Sequence, residues 1–92
     1  MLIKSDSHAV GSAIQWRVKY DKWLANTAYI SQASVSSSDT NYTVSGVLVE
    51  GKDIVFIVTG GALGVAVTLT ITMRDNLGNV LPDTINLIGV AP

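Results

Sequence analysis

A glycine-rich segment, Thr59-Gly60-Gly61-Ala62-Leu63-Gly64, has residue types and spacing that suit phosphate binding. It follows an apolar run, and glycines in such a turn let backbone N–H groups approach a pyrophosphate. This chemistry requires a helix after the glycines, because the helix N-terminus supplies further N–H donors and a favourable dipole. The residues after Gly64, "VAVTLTITMR", instead alternate between apolar and polar side chains, which is typical of a half-buried strand. We therefore predict a strand there and no dinucleotide site.

Other residue types that could support catalysis are scattered along the chain. Asp6 and His8 occur near several serines, but nothing in the sequence positions a serine as a nucleophile. His8 is the only histidine and cysteine is absent, so we expect a solvated side chain rather than a metal ligand. The carboxylates, Asp83 among them, fall mostly in predicted turns, where they satisfy backbone N–H groups. The sequence thus predicts no catalytic, cofactor or metal site, and a protein that is not an enzyme.

Three aromatic residues, Trp16, Tyr20 and Trp23, could form a platform on which sugar rings stack. We favour the interpretation that they fill the core of a small domain, because each aromatic side chain buries a large apolar area. A carbohydrate- or receptor-binding module, which would need Trp16 or Trp23 to be exposed, is therefore a second hypothesis.

The composition indicates one small domain with apolar surface to spare. The chain has 92 residues, of which 48% are hydrophobic and 14% charged, against a usual charged fraction of about 25%. The net charge is −1 and the basic residues are dispersed, so no footprint for nucleic acid is expected. The N-terminal residues lack the continuous apolar run of a signal peptide, and with no cysteine for disulfides we expect synthesis in the cytoplasm.

The segment 54–73 carries no charge and is long enough to be considered as a membrane span. Thr68, Thr70 and Thr72 occupy every second position, however, and this alternation suits a strand whose two faces differ. We interpret the segment as two strands that form a hairpin around the glycine-rich turn, and we expect no membrane partner.

The rest of the chain repeats short alternating segments separated by turn-forming residues. Strands are predicted at 28–35, 42–50, 54–58, 65–74 and 84–90, together with one that carries Trp16, Val18 and Tyr20. Gly46 is expected to mark either a bulge or a close approach of another backbone segment, and "DNLGN" is predicted to form a second hairpin turn. Six or seven strands without helical periodicity predict an all-β fold, a single small antiparallel β-sandwich of the immunoglobulin-like type. We assign residues 14–92 to this domain and residues 1–13 to an extended N-terminal arm.

The arm begins with the apolar residues Met1, Leu2 and Ile3. It is expected either to fray or to add a strand to the exposed edge of a neighbouring subunit. The candidate assembly contacts are therefore Met1, Leu2, Ile3, Trp16 and Trp23.

From about residue 14 onward, the order and spacing of several motifs are similar to one family of small proteins. The motifs are Trp16-x-Val18-x-Tyr20, Trp23-Leu24, Ile30-Ser31, "DIVFIVTGGALG", the "DNLGN" turn and the last strand "INLIGV". In these features the chain resembles small virion structural proteins of tailed bacteriophages, of the fibre-tail adaptor or accessory head protein type.

The resemblance implies a non-enzymatic virion component, made in the host cytoplasm and present in several symmetric copies. It would bind the capsid surface as a decoration or cement protein, or the head-tail and neck region as an adaptor. The implied partners are other virion proteins, from the capsid, neck or fibre. A homo-oligomer is expected, and a trimer suits either location.

Overall fold

The structure, a computed structural model, describes residues 2–92; Met1 lies outside the described residues. These residues form seven strands: β1 (Leu2–Ala9), β2 (Ser12–Lys19), β3 (Ile30–Ser37), β4 (Tyr42–Glu50), β5 (Asp53–Gly60), β6 (Ala66–Asp75) and β7 (Val80–Val90). No helix occurs among them, so the predicted all-β class is confirmed.

The strands form two sheets that pack face to face. One has the order β1-β7-β6-β3 and the other the order β2-β5-β4. Buried side chains from both sheets make one core, which includes Val18, Tyr20, Ile54, Phe56, Val58, Val67, Leu69, Ile71, Met73, Ile85 and Leu87. The structure thus has two β-sheet layers and is compatible with the predicted β-sandwich.

Strand β6 shows why the sequence folds in this way. Its residues Val67, Leu69, Ile71 and Met73 are buried, whereas the threonines between them lie on the outer face of the sheet. Alternate side chains of a strand point to opposite faces, so the period seen in the sequence becomes a buried face and an outer face.

The predicted hairpin between β5 and β6 is wrong. β5 is the central strand of the smaller sheet and pairs with β2 and β4, so both of its edges are occupied. The glycine-rich segment therefore carries the chain from one sheet to the other. Gly60, Gly61 and Gly64 have φ values of 93°, 103° and 73°, which glycine adopts without steric cost.

The predicted hairpin turn at "DNLGN" is confirmed, since β6 pairs antiparallel with β7. The Asp75 carboxylate accepts hydrogen bonds from the backbone N–H groups of Leu77 and Asn79 and from the Asn79 side-chain amide. The Asn79 amide contributes most to holding the pKa of Asp75 below its ordinary value. The predicted bulge at Gly46 is also confirmed, because the β4–β5 register shifts between Ser45 and Leu48.

The extended N-terminal arm is not confirmed. Leu2–Ala9 is strand β1, which pairs in parallel with β7 of the same chain. The side chains of residues 2–7 are exposed on both faces, so backbone pairing holds this strand and its sequence carries no alternation. His8, expected to be solvated, is instead 2% exposed, because its ring packs edge-on against Tyr42 with 5.8 Å between ring centroids.

Candidate functional site: a cleft between two edge strands

An open cleft of about 370 Å³ lies on one side of the sandwich. We call it the edge cleft, because β1 and β2 border it and each is the outermost strand of its sheet. Its apolar lining consists of Leu2, Ile3, Trp16, Val18, Trp23 and Ile85. The cleft falls within the volume range of small-molecule and side-chain pockets, and its lining is apolar and aromatic as in such sites.

The path of the chain explains why this side of the sandwich is open. β1 and β2 are joined by a tight turn at Val10 and Gly11, yet each strand belongs to a different sheet. Beyond the turn the two strands follow separate sheets, and Ile85 of β7 lines the cleft behind them. Within residues 2–92 no further strand covers the gap.

The start of the β1–β2 connection is fixed by His8 and Ser12. The Ser12 hydroxyl donates to the Ala9 carbonyl oxygen at 2.6 Å, and His8 Nε2 lies 3.2 Å from the Ser12 carbonyl oxygen and 3.4 Å from Ser12 Oγ. The short hydrogen bond to Ala9 ties the Ser12 hydroxyl to the backbone and stabilises the turn.

Trp16 forms one wall of the cleft and also packs against the core. Its indole N–H is enclosed and has no acceptor among the described residues, an arrangement that costs about 1–3 kcal/mol. The ring is therefore held by apolar packing and not by a hydrogen bond. The Lys4 ammonium group lies 5.5 Å from the centroid of this ring, within the range of a cation–π interaction.

Trp23 lies at the mouth of the cleft and is 59% exposed. The N–H groups of Trp23 and Leu24 both donate to the Tyr20 carbonyl oxygen, at 3.0 and 3.1 Å. This turn buries Leu24 and leaves Trp23 in solvent. The interpretation of all three aromatic residues as core is thus wrong for Trp23, whereas Tyr20 is buried and Trp16 is partly buried.

A buried polar pair, Tyr20 and Asp83, also lines the cleft. The Tyr20 hydroxyl donates to Asp83 Oδ2 at 3.0 Å, and both residues are almost completely buried. Asp83 was predicted to lie in a turn, but it lies within β7 with its side chain on the inner face of the sheet. Burial and the hydrogen bond to Asp83 raise the pKa of Tyr20 well above its ordinary value.

This pair predicts a pH dependence of stability. An unfolded tyrosine ionises near pH 10, whereas folded Tyr20 keeps its proton to higher pH. The stabilisation that protonated Tyr20 gives the folded state is thus complete below about pH 10 and is lost as the pH rises above that value. We expect Tyr20→Phe to be about 1–3 kcal/mol less stable than the wild type at pH 7. The difference in unfolding free energy between the wild type and Tyr20→Phe, measured in urea, should become smaller above about pH 10. A difference that stays constant with pH would contradict this account.

Basic residues surround the apolar part of the cleft. Lys4, Arg17 and Lys19 line it, and Asp83 is the one acidic residue in the lining described by the structure. Arg17 is engaged on the outer face, where its guanidinium lies 2.8 Å from Asp53 and 3.2 Å from Glu50. Lys4 in turn lies 3.5 Å from Asp6. Two of the three cations that line the cleft are therefore paired with carboxylates.

The edge cleft brings four of the predicted assembly contacts together. Leu2 and Ile3 of β1, Trp16 of β2 and Trp23 of the following turn all line it. Met1, the fifth, lies outside the described residues. Sequence reasoning did not identify the pair of Tyr20 and Asp83. The alternation in β7 is the signal that could have indicated it, because Asp83 shares the parity of Ile85 and Leu87 and so occupies a position that is apolar elsewhere in the strand.

Among residues 2–92, no three His, Asp or Glu side chains come close enough together to hold a metal ion. The same residues contain no helix with the length and apolar character that crossing a membrane requires. Comparison of the sequence with protein-family models and with curated proteins gives no match.

Proposed function

We propose that the chain is a non-enzymatic structural protein of a tailed-phage virion. It acts in several symmetric copies, as a decoration protein on the capsid surface or as an adaptor at the neck and tail. The observation that carries this proposal is the edge cleft, where Leu2, Ile3, Trp16 and Trp23 form a partly exposed apolar surface. Such surfaces on small proteins mark interaction sites.

The strand order supports an immunoglobulin-like sandwich as the finer fold assignment. Immunoglobulin-like domains pair their second, fifth and fourth strands in one sheet and their third, sixth and seventh in the other. Strands β2-β5-β4 and β3-β6-β7 have this arrangement. β1 lies on the β7 side, so it leaves the edge of β2 open to the cleft.

The low charge and the exposed apolar residues support a role in assembly. Charged residues make up 14% of the chain, and the exposed large apolar side chains include Leu2, Ile3 and Trp23. Interfaces between proteins are enriched in aromatic residues and depleted in charge at their centre. The partners are other virion proteins, of the capsid, neck or fibre, and further copies of the chain, for which a trimer suits either location.

Immunogold labelling of phage particles from the source lysate tests the proposal, with particles counted separately for head and neck. Label over the head assigns a decoration role, and label at the neck or tail assigns an adaptor role. Particles from a lysate that contains the protein but that carry no label at either place would reject the proposal.

A carbohydrate-binding module is the second candidate, and the exposure of Trp23 beside Trp16 favours it. Since Trp23 is 59% exposed and Trp16 is partly buried, acrylamide should quench the fluorescence of Trp23 more strongly than that of Trp16. We expect Trp16→Phe to retain most of the quenching and Trp23→Phe to lose most of it. Equal quenching in the two variants would contradict the placement of these rings. Protection of Trp23 by an added oligosaccharide would support the carbohydrate candidate.

A further inference from the structure

We propose that two copies of the chain pair through their β3 strands, so that the four-stranded sheets of both copies become one continuous sheet. The partner of this strand is thus a second copy of the same chain. This contact goes beyond the proposed function, which does not say where the copies meet, and it does not depend on the virion assignment.

β3 is the least protected of the four outermost strands, which are β1 and β3 of one sheet and β2 and β4 of the other. β1 and β2 carry charged side chains, and β4 is interrupted by the bulge at Gly46. Charges and bulges keep an outermost strand from pairing with another chain. β3 has no charged residue and no proline. Its one register shift lies at its start, between Ile30 and Gln32, so the rest of the strand presents a regular edge.

The side of the sandwich formed by β3 and β4, which we call the β3/β4 side, is almost without charge. Asp39 is the one charged residue in the segment 30–49, whereas β1 and β2 on the opposite side carry four. A contact between two copies brings identical groups close together, and like charges placed opposite each other are destabilising. The lack of charge therefore favours a second copy of the chain over a charged partner.

Apolar side chains on the β3/β4 side are incompletely covered. The partly buried residues that pack against the core from these two strands are Ala33, Val35, Val44 and Val47. Val49, near the end of β4, is 42% exposed. A second copy placed against this side would remove part of this apolar area from water, which stabilises the contact.

The residues of β3 are complementary to those of a second, antiparallel β3. With the symmetry axis at Ser34, in the middle of the regular part of the strand, Ser34 faces Ser34 of the second copy and Gln32 faces Ser36. On the inner side of the sheet, Ala33 faces Val35. Polar and apolar side chains thus each meet their own kind, and such cross-strand pairs are the unit of sheet stabilisation.

The symmetry of the pair brings β4 into the contact as well. A closed pair of identical subunits uses the same surface twice, and a twofold axis perpendicular to the sheets places β3 beside β3 and β4 beside β4. Asp39 follows the end of β3, so antiparallel pairing carries the two Asp39 side chains to opposite ends. A standard stable interface takes about 800 Å² from each subunit. The protein measures 43 × 21 × 19 Å, so contact along the whole β3/β4 side provides an area of that order.

Sedimentation velocity over a range of concentrations tests the pairing. We expect the wild type to sediment as a dimer. Ser34 is exposed, and Ser34→Lys should raise the dissociation constant of the dimer about tenfold or more, because two ammonium groups then face each other. Ser34→Glu should have the same effect. An equal mixture of the two variants should form the dimer again, because a lysine then faces a glutamate; a variant that failed to fold would not recover in this way.

Disulfide cross-linking tests the register. The chain contains no cysteine, so Ser34→Cys supplies the only thiol. Directly opposite residues of antiparallel strands have Cα atoms about 4.5–5.5 Å apart, which lies within the range of about 4.4–6.8 Å that a disulfide spans. Mild oxidation of Ser34→Cys should therefore link the two copies, as seen on a non-reducing gel.

Ser5 provides the matched control for both experiments. It is an exposed serine in β1, the strand at the other edge of the same sheet. Ser5→Lys should leave the dimer unchanged, and Ser5→Cys should cross-link at least about tenfold more slowly than Ser34→Cys, because it lies outside the contact and meets a second thiol only in random collisions.

A wild type that sediments as a monomer or as a trimer overturns the inference. So does a dimer that Ser34→Lys leaves unchanged, a mixture of the two charged variants that stays monomeric, or equal cross-linking of Ser5→Cys and Ser34→Cys. A monomer combined with labelled phage particles rejects only the β3 pairing. A dimer with the expected cross-link combined with unlabelled particles rejects only the virion assignment.

Discussion

Replacing Gly89 with Ala is expected to destabilise the protein by about 4 kcal/mol or more, a loss that few single substitutions reach. A Cβ at this position would overlap the backbone carbonyl oxygen of Ala62 and lie 3.0 Å from the Tyr42 hydroxyl. The clash is with backbone, which rotation of a side chain cannot relieve.

The surroundings of Gly89 make this clash costly. Gly64 N–H donates to the Gly89 carbonyl oxygen at 2.9 Å, and Gly89 N–H donates to the Val65 carbonyl oxygen at 3.1 Å. The Tyr42 hydroxyl donates to the same Val65 oxygen at 2.7 Å. Moving the segment away from a new methyl group would therefore break the contacts that join the β5–β6 connection to β7.

Urea unfolding of Gly89→Ala and Gly11→Ala measures the effect. Gly11 has a φ of 85° and open space around its Cα, so its replacement costs about 1–2 kcal/mol through backbone conformation alone. Gly89 does not have a positive φ, so the loss of stability in Gly89→Ala comes from the lack of space for a methyl group. If Gly89→Ala were no less stable than Gly11→Ala, the close approach of Ala62 would be wrong.

Replacing Phe56 with Ala is expected to cost about 3–5 kcal/mol, because it leaves a cavity in the centre of the core. Phe56 is completely buried and lies on β5, the middle strand of the smaller sheet. A domain of this size has a total stability of about 5–15 kcal/mol, so the variant should be largely unfolded in mild urea.

Two further variants separate cavity formation from a general loss of apolar area. Phe56→Leu keeps part of the volume and should cost clearly less than Phe56→Ala. Leu48 is 60% exposed, and Leu48→Ala should change the stability by about 0.5 kcal/mol or less. The dependence of the unfolding free energy on urea should keep the same slope in all three. A loss at Leu48 as large as that at Phe56 would contradict the assigned core.

The Phe56 position also connects the core to the edge cleft. Trp16 of β2 lies directly opposite Phe56 of β5 in the antiparallel ladder, and Trp16 packs against the core cluster that contains Phe56. Since the Trp16 indole N–H has no hydrogen bond within the described residues, packing against the core is the main contact that orients this wall of the cleft, with Lys4 over the ring. A cavity at Phe56 should therefore loosen the site as well as the fold.

The sequence by itself determined the local features of this protein. The alternation in β6 predicted its buried face, and "DNLGN" and Gly46 predicted a hairpin turn and a bulge. These features depend on residues that are close in the chain, because the period of a strand and the φ of a turn are local properties. The low charge and the aromatic residues likewise predict an interaction surface, and this stays a prediction.

Only the tertiary structure decided which strands are neighbours. The glycine-rich segment has the composition of a hairpin turn, yet β5 is already paired on both edges and the chain must cross to the other sheet. β1 has no alternation, since its place is set by backbone hydrogen bonds to β7, which is distant in sequence. The edge cleft exists because these non-local pairings place Leu2 and Ile3 beside Trp16 and Trp23. A local sequence pattern cannot predict this proximity, because it depends on strands that are distant in the chain.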